Sequence, residues 1–269
     1  MIVIGELINS TRDEVKGALA DHDESTIRRL AREQVEAGAD LLDVNTATSR
    51  KREIEDMEWV IDLVHDEVGT DVRLAIDSPN TEAVQRGLEK AAARPLVNSV
   101  NNEASSQEAL VPLLKEHDSD VIGLTMGGGS GMPTTVDDRL REAEQLINSL
   151  DGAGFDLSRL YIDPLVMTIG SNQEQAGYVI DTVRAIKDRW GQQGVKTSVG
   201  LSNVSYGLPH RGIINRAFLA MLLEAGLDGA IIDPTERPMM DTLRASEALL
   251  GIDAHCLGYI KYMRARESN

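Results

Sequence analysis

The pattern of apolar and polar positions in this chain repeats one unit from end to end. A short run rich in Val, Ile and Leu ends in a polar break, and a longer stretch with apolar residues three and four apart follows. The first kind of segment predicts a strand buried on both faces, the second an amphipathic helix. Strands are expected near residues 2–4, 39–45, 72–76, 96–98, 121–124, 160–162, 196–201 and 229–232. Helices are expected over about 25–38, 53–68, 82–91, 107–117, 137–150, 173–190, 212–224 and 238–250, with one more over 254–266. Ile27, Leu30, Ala31 and Val35 give the first helix its apolar face, and Gly38 closes it. Ile54, Met57, Val60, Ile61 and Val64 do the same for the second, before Gly69.

Eight strand-then-helix units without a Pro- or Ser-rich linker predict a parallel sheet covered on both faces. An open doubly wound sheet would use fewer units. The expected architecture is therefore a closed (β/α)8 TIM barrel of the α/β class, with residues 1–269 forming a single domain. In such a barrel the C-terminal ends of all strands share one mouth. Asp43, Asn45, Asp77, Asn98, Asp163 and Asn203 end or closely follow the apolar runs, so this fold brings them together. Asp and Asn also cap helices and open turns, which accounts for any one of them singly. It accounts less well for six, several of which lie within the apolar run itself. A mouth of carboxylates and amides suits a flat heterocycle with N–H donors and ring-nitrogen acceptors, of which a pterin is an example. The same oxygens could hold Mg²⁺, and both readings stand at this level.

Composition narrows the partners. The hydrophobic fraction is 42% with only 3% aromatic residues, so Ala, Val, Ile, Leu and Met must fill the core. A net charge of −17 argues against a nucleic-acid or anionic-membrane partner. The single cysteine, Cys256, rules out an internal disulfide and a cysteine-built metal cluster, which fits a reducing cytoplasm. It reads as a small core residue of the last helix. No signal sequence is read at Met1–Glu6, and no run reaches the roughly 18 to 20 apolar residues of a membrane span. The five histidines share no metal-ligand spacing, although His210 falls beside Arg211 near the expected mouth. Gly127–Gly131 lacks the spacing and lysine of a phosphate loop and reads as a yielding loop at the rim. The charges in Arg28-Arg29, Arg32-Glu33 and Lys51-Arg52-Glu53 read as solvated helix faces.

Longer segments carry a resemblance. Ile4-Gly5-Glu6-Leu7-Ile8-Asn9, Leu42-Asp43-Val44-Asn45, Met57-Glu58-Trp59, Ile76-Asp77-Ser78, Val97-Asn98-Ser99, Ile122-Gly123-Leu124-Thr125-Met126, Leu160-Tyr161-Ile162-Asp163-Pro164-Leu165, Gly200-Leu201-Ser202-Asn203-Val204-Ser205 and the 214–221 helix segment stand in the order found in one family. From Met1 to near Arg264 the chain resembles the methyltetrahydrofolate:corrinoid methyltransferases. These share the pterin-binding barrel superfamily with dihydropteroate synthase and the folate module of cobalamin-dependent methionine synthase.

The resemblance implies that Asp77, Asn98 and Asp163 hold the pterin ring, with Asp163 at the 2-amino/N3 edge, and that Asn203 contacts the methyl-bearing N5. Ser202 and Arg211 fall at other pocket positions, and Glu6, Asp43 and Asn45 are counted with the folate site. It further implies 5-methyltetrahydrofolate or tetrahydrofolate as substrate, hydrogen-bond activation of N5 by Asn203, in-line attack by Co(I), and no tightly bound metal. The corrinoid (cobalamin) is expected on a separate protein, either a corrinoid iron–sulfur protein or a small cobalamin-binding protein. The barrel uses up the length, and no cobalamin domain with its Asp-x-His-x-x-Gly motif is read in the chain. A homodimer is expected from the family. The physiological direction stays open, because relatives also run from methyl-corrinoid to tetrahydrofolate in catabolism of methylated amines such as betaines. A dihydropteroate synthase-like reaction is disfavoured, since Ser202-Asn203 stands where that branch has a lysine. A non-catalytic pterin-binding subunit is the alternative of another class.

Overall fold

In the computed structural model, which describes residues 1–48, 52–129 and 131–267, the eight expected strands close into one parallel barrel in sequence order. They are β1 (Ile2–Asn9), β2 (Leu41–Asn45), β3 (Arg73–Asp77), β4 (Leu96–Val100), β5 (Asp120–Leu124), β6 (Leu160–Asp163), β7 (Lys196–Gly200) and β8 (Gly229–Ile232). Closure is made by β1 against β8, with Ile2 opposite Gly229 and Gly5 opposite Ile232. The helices are α1 (Asp13–Asp21), α2 (Glu24–Glu36), α3 (Glu53–Val68), α4 (Thr81–Lys90), α5 (Ala104–Glu116), α6 (Val136–Gly152), α7 (Gln175–Trp190), α8 (Arg211–Glu224), α9 (Arg237–Leu249) and α10 (Leu257–Glu267). Dedicated caps set several of their starts. Asp23 accepts from the Ser25 and Thr26 amides, Asn80 from Glu82, and Thr135 forms a reciprocal capping box with Asp138.

Side-chain alternation sorts each strand into two shells. Leu42, Val44, Leu74, Ile76 and Val97 point outward into the layer shared with the helices. Ile4, Leu41, Ala75, Leu96, Ile122 and Tyr161 point inward and form a separate apolar plug. Because the strand period is two, the next inward position after each plug residue lies one layer nearer the mouth. Those positions are Glu6, Asp43, Asp77, Asn98, Leu124 and Asp163. Five of the six are polar, so the site is the second interior layer of the barrel.

Several sequence expectations are corrected. The first strand runs to Asn9, well beyond residue 4, and the polar segment after it contains α1. Val15, Ala18 and Leu19 bury the inner face of α1 at helical spacing, but its N-terminus has no side-chain cap to announce it. The fifth helix begins at Ala104, where Ser105 and Ser106 carry no periodic signal. Glu53 is buried rather than solvated, accepting from the Ser78 hydroxyl, and Arg52 donates to Leu19 O and Asp56. Lys51 lies outside the described residues. Arg28, Arg29 and Arg32 do form surface ion pairs, with Asp66, Glu14 and Glu67. Cys256 is exposed, in a short turn before α10.

β1 changes register between Gly5 and Ile8, and the buried side chain of Gln34 in α2 fills the irregularity. Its Oε1 accepts from the Leu7 amide at 2.9 Å while its Nε2 donates to Leu30 O at 3.1 Å. A Cβ on Gly5 would collide with that amide, which explains glycine there. Gln34→Leu removes the side-chain partner of the buried Leu7 N–H. It is expected to cost about 1–3 kcal/mol, measured as a lower urea midpoint at unchanged m value.

Candidate active site

The mouth holds a cavity of about 530 Å³ lined by Glu6, Asn9, Arg12, Asp43, Asp77, Asn98, Ser202, Asn203, Arg211 and Asp233, among others. That volume lies within the range of about 300–1,000 Å³ usual for small-molecule sites. Seven of the nine site residues read from the sequence line it directly. The other two do not line it directly. Asn45 donates from Nδ2 to Asp77 at 2.9 Å and accepts from the Ser10 hydroxyl at 2.6 Å. Asp163 is 7% exposed, and its carboxylate accepts from the Leu165 amide at 2.7 Å and from the Gly200 amide.

The polar layer is built from carboxylates matched to amides. Asn98 reaches across from β4 to donate to Asp43 on β2 at 3.1 Å, while Asn45 serves Asp77. These donors offset only part of the cost of taking carboxylates out of water. Burial raises Asp43 well above the usual carboxylate range, assisted by the charge of Asp77. Burial likewise raises Asp77, against the Asn45 hydrogen bond. Asp163 is raised to about 6, mainly by burial, against its two backbone hydrogen bonds and Arg139. Glu6 is raised to about 7 by burial and by Asp233, against Arg12, Ser202 and Arg211. The floor thus concentrates acceptors that gain by meeting buried N–H donors.

β7 departs from the pattern of strand-end side chains. Its inward position at this level is Gly200, and a one-turn 3-10 helix, Leu201–Ser205, follows at once. Asn203 therefore comes from that turn and not from a strand end as its sequence position suggests. Its amide folds back over the glycine, with Nδ2 3.1 Å from where a Cβ on Gly200 would stand. The turn is clamped by Arg211, which donates to Ser202 O at 2.6 Å and to the Ser205 hydroxyl at 3.0 Å. Ser205 in turn donates to Asn215 Oδ1 at 2.7 Å. Ser202 reaches the other way, from its hydroxyl to Glu6 at 3.4 Å.

Sequence reasoning missed Asn9, Arg12, Asn215 and Asp233 as cavity residues. Asp233 was legible, because Ile232-Asp233-Pro234 repeats Ile162-Asp163-Pro164; Arg12 carried no signal. His210 does not line the cavity. The glycine-rich loop is tied down on its inner side, where the Gly128 amide donates to the buried carboxylate of Glu142 at 3.0 Å. Its Ser130 lies outside the described residues. The spacing Asp-x-His-x-x-Gly does occur in the chain, at Asp253, His255 and Gly258. There Asp253 caps α10, accepting from the Gly258 and Tyr259 amides at 2.9 and 2.8 Å, and His255 is exposed. Among the described residues no group of three or more His, Cys, Asp or Glu is arranged to hold a metal ion, and no helix is long and apolar enough to cross a membrane.

Comparison with known proteins agrees with this architecture. The profile of the pterin binding enzymes matches residues 5–233, and the chain belongs to that family. It is 33% identical over 266 residues to a methylcorrinoid:tetrahydrofolate methyltransferase of Eubacterium limosum, covering 98% of this chain and 96% of that one. It is 30% identical to the methionine synthase of Mycobacterium tuberculosis over 99% of this chain, a match to 23% of that longer protein. Within the family the chain thus groups with methyltransferases. Among solved structures, a dihydropteroate synthetase superposes with a TM-score of 0.68 at 16% identity, covering 93% of this chain and 94% of the other. The Xanthomonas albilineans dihydropteroate synthase gives 0.66 at 19%, covering 94% and 93%. These last two establish likeness of fold.

Glu6 supplies a test of the electrostatics. Its pKa is higher folded than unfolded, so its burial costs nothing below about pH 4.5 and costs progressively more as pH rises through about 7. Glu6→Gln is expected to be more stable than the wild type at pH 8, with the difference closing at pH 5. Urea unfolding at both values measures it, and a pH-independent difference would refute the assignment.

Proposed function

We propose that this enzyme transfers a methyl group between N5 of a tetrahydrofolate and a corrinoid carried on a separate protein. The observation that carries the reading is the pairing of a carboxylate floor with one amide, Asn203, folded over Gly200 at its edge. Asp77, Asn98 and Asp163 form the binding set for the pterin, with Asp163 at the 2-amino/N3 edge. Asp43, Asn45 and Glu6 complete the polar layer. The full-length relative named for this reaction supports the choice of substrates.

A tertiary amine is a poor leaving group, so N5 needs a proton or a strong hydrogen bond before its methyl group departs. In the opposite direction N5–H must shed a proton once it has been methylated. Asn203 does not titrate. It donates a hydrogen bond whose strength grows as charge redistributes at N5, which is the kind of interaction that accelerates a reaction rather than merely tightening binding. Glu6, with a pKa near neutrality and a hydroxyl contact to Ser202, is suited to hold the proton that N5 gains or loses. Arg211 keeps Asn203 in place through the 201–205 turn. The partner's corrinoid supplies the cobalt that gives or takes the methyl group. The same transition state serves both directions, so the partner and the metabolite levels set net flow.

Asn203→Ala is expected to lower kcat about 100-fold with KM for the folate changed only a few-fold. Asp163→Asn should mainly raise that KM. Stopped-flow mixing of 5-methyltetrahydrofolate with cob(I)alamin, following loss of the Co(I) absorbance, separates the two. Folate binding without any transfer would instead support a non-catalytic pterin-binding subunit.

We further propose that the enzyme works in the cytoplasm as a homodimer, on the support of its lone cysteine and of the family resemblance. Sedimentation equilibrium should then give twice the 29.3 kDa chain mass.

A further inference from the structure

Arg139 of α6 is fully buried, and it forms no ion pair among the described residues. A buried guanidinium ordinarily sits against a carboxylate, because neutral acceptors repay only part of its lost hydration. Here every hydrogen-bond acceptor is neutral. Nε donates to Pro164 O at 2.6 Å, Nη2 to Leu165 O at 3.2 Å and to Gln175 Oε1 at 2.7 Å, and Nη1 to Thr135 O at 3.2 Å. Two of the four are the carbonyls immediately after Asp163. Leu165 adopts the left-handed conformation, φ 59°, which an unbranched-at-Cβ side chain tolerates only with strain. The Leu165 amide, at the start of that bend, donates to the Asp163 carboxylate at 2.7 Å. The guanidinium therefore holds the bend from behind, and its charge lies on the far side of the backbone from the cavity.

We propose that Arg139 is a positioning residue for the site: from behind the wall it fixes the Pro164–Leu165 bend, and with it the Leu165 amide from which the Asp163 carboxylate accepts, so that this carboxylate stays ionised for a pterin's N–H edge. The identity of the ligand rests on the folate reading above; the action of Arg139 on Asp163 does not. The other ionisable groups facing this pair are Asp138 on α6 and Tyr178 on α7. A lysine keeps the charge but cannot reach four acceptors with a planar fork, whereas a glutamine loses the charge.

The test follows the Asp163 carboxyl by ¹³C NMR in ligand-free protein and, separately, the affinity for 5-methyltetrahydrofolate across pH. In the wild type Asp163 should titrate near pH 6, with folate affinity falling as pH drops through that value. Arg139→Gln should move both midpoints upward. Arg139→Lys, which keeps the charge but loosens the bend and the Leu165 amide's hydrogen bond, should raise the midpoints by less and weaken folate binding. Circular dichroism checks that each variant is folded. A folded Arg139→Gln with the wild-type midpoint and affinity would overturn the proposal. If that variant does not fold, a folded Arg139→Lys with the wild-type midpoint and folate affinity would overturn it equally. A wild-type protein that binds no folate would sink the functional reading, while the ligand-free titration would still decide whether Arg139 sustains the Asp163 charge.

Discussion

The barrel has to keep acidic side chains within its own interior, directly above an apolar plug, and most local features of the site answer that constraint. An inward strand position is sheltered from water whatever residue occupies it. Placing Glu6, Asp43, Asp77 and Asp163 one layer above Ile4, Leu41, Ala75 and Tyr161 therefore raises all four toward neutrality. Asn45 and Asn98 are the compensation the strands themselves supply, each giving an N–H to a carboxylate. Among the described residues no lysine lines the cavity, and its arginines approach from loops and helix starts at the rim. The layer is left with unmet demand for donors, and a flat ring edged with N–H groups meets it at low cost in reorganisation.

Period and residue type made much of this legible. The eight strands follow from short apolar runs, and Asp43, Asp77, Asn98 and Asp163 follow from asking which polar residue ends such a run, whereas Glu6 came only with the family resemblance. The failures have physical causes. α1 buries only three side chains and lacks a capping side chain, so its helical spacing drowned in charge. Glu53 looked like part of a charged helix start, but a hydroxyl from the next strand end, Ser78, receives it in the interior. Asn203 looked like one more strand terminus, because a linear string does not show that Leu201–Ser205 coils into a single tight turn. Arg12 and Arg139 were invisible for a related reason. What matters about them is what lies opposite in space, and nothing nearby in sequence indicates it.

Support for the site comes from several elements at once. β1 keeps its shifted register because Gln34 reaches in from α2. The 201–205 turn keeps its shape because Arg211 and Asn215 hold it from α8. The end of β6 keeps its bend because Arg139 grips it from α6. Each is a polar side chain of the helical layer passing inward to satisfy a backbone group or hydroxyl where regular strand pairing stops. Sheets leave such groups at their ends, and an unpaired buried one is costly.

The glycine at the end of β7 has a consequence for how this architecture can change over time. Five strands, β1 to β4 and β6, carry polar side chains fixed by the barrel's own register, so altering one disturbs a layer shared with its neighbours. The contribution of β7 arrives by a detour, on a turn whose amide merely rests over a vacant Gly200. Residue 203 can be exchanged without touching the register of any strand. On the function proposed above, a lineage can thus keep its ring-binding floor and swap the group that acts on the ring, and one scaffold acquires different reactions on similar heterocycles.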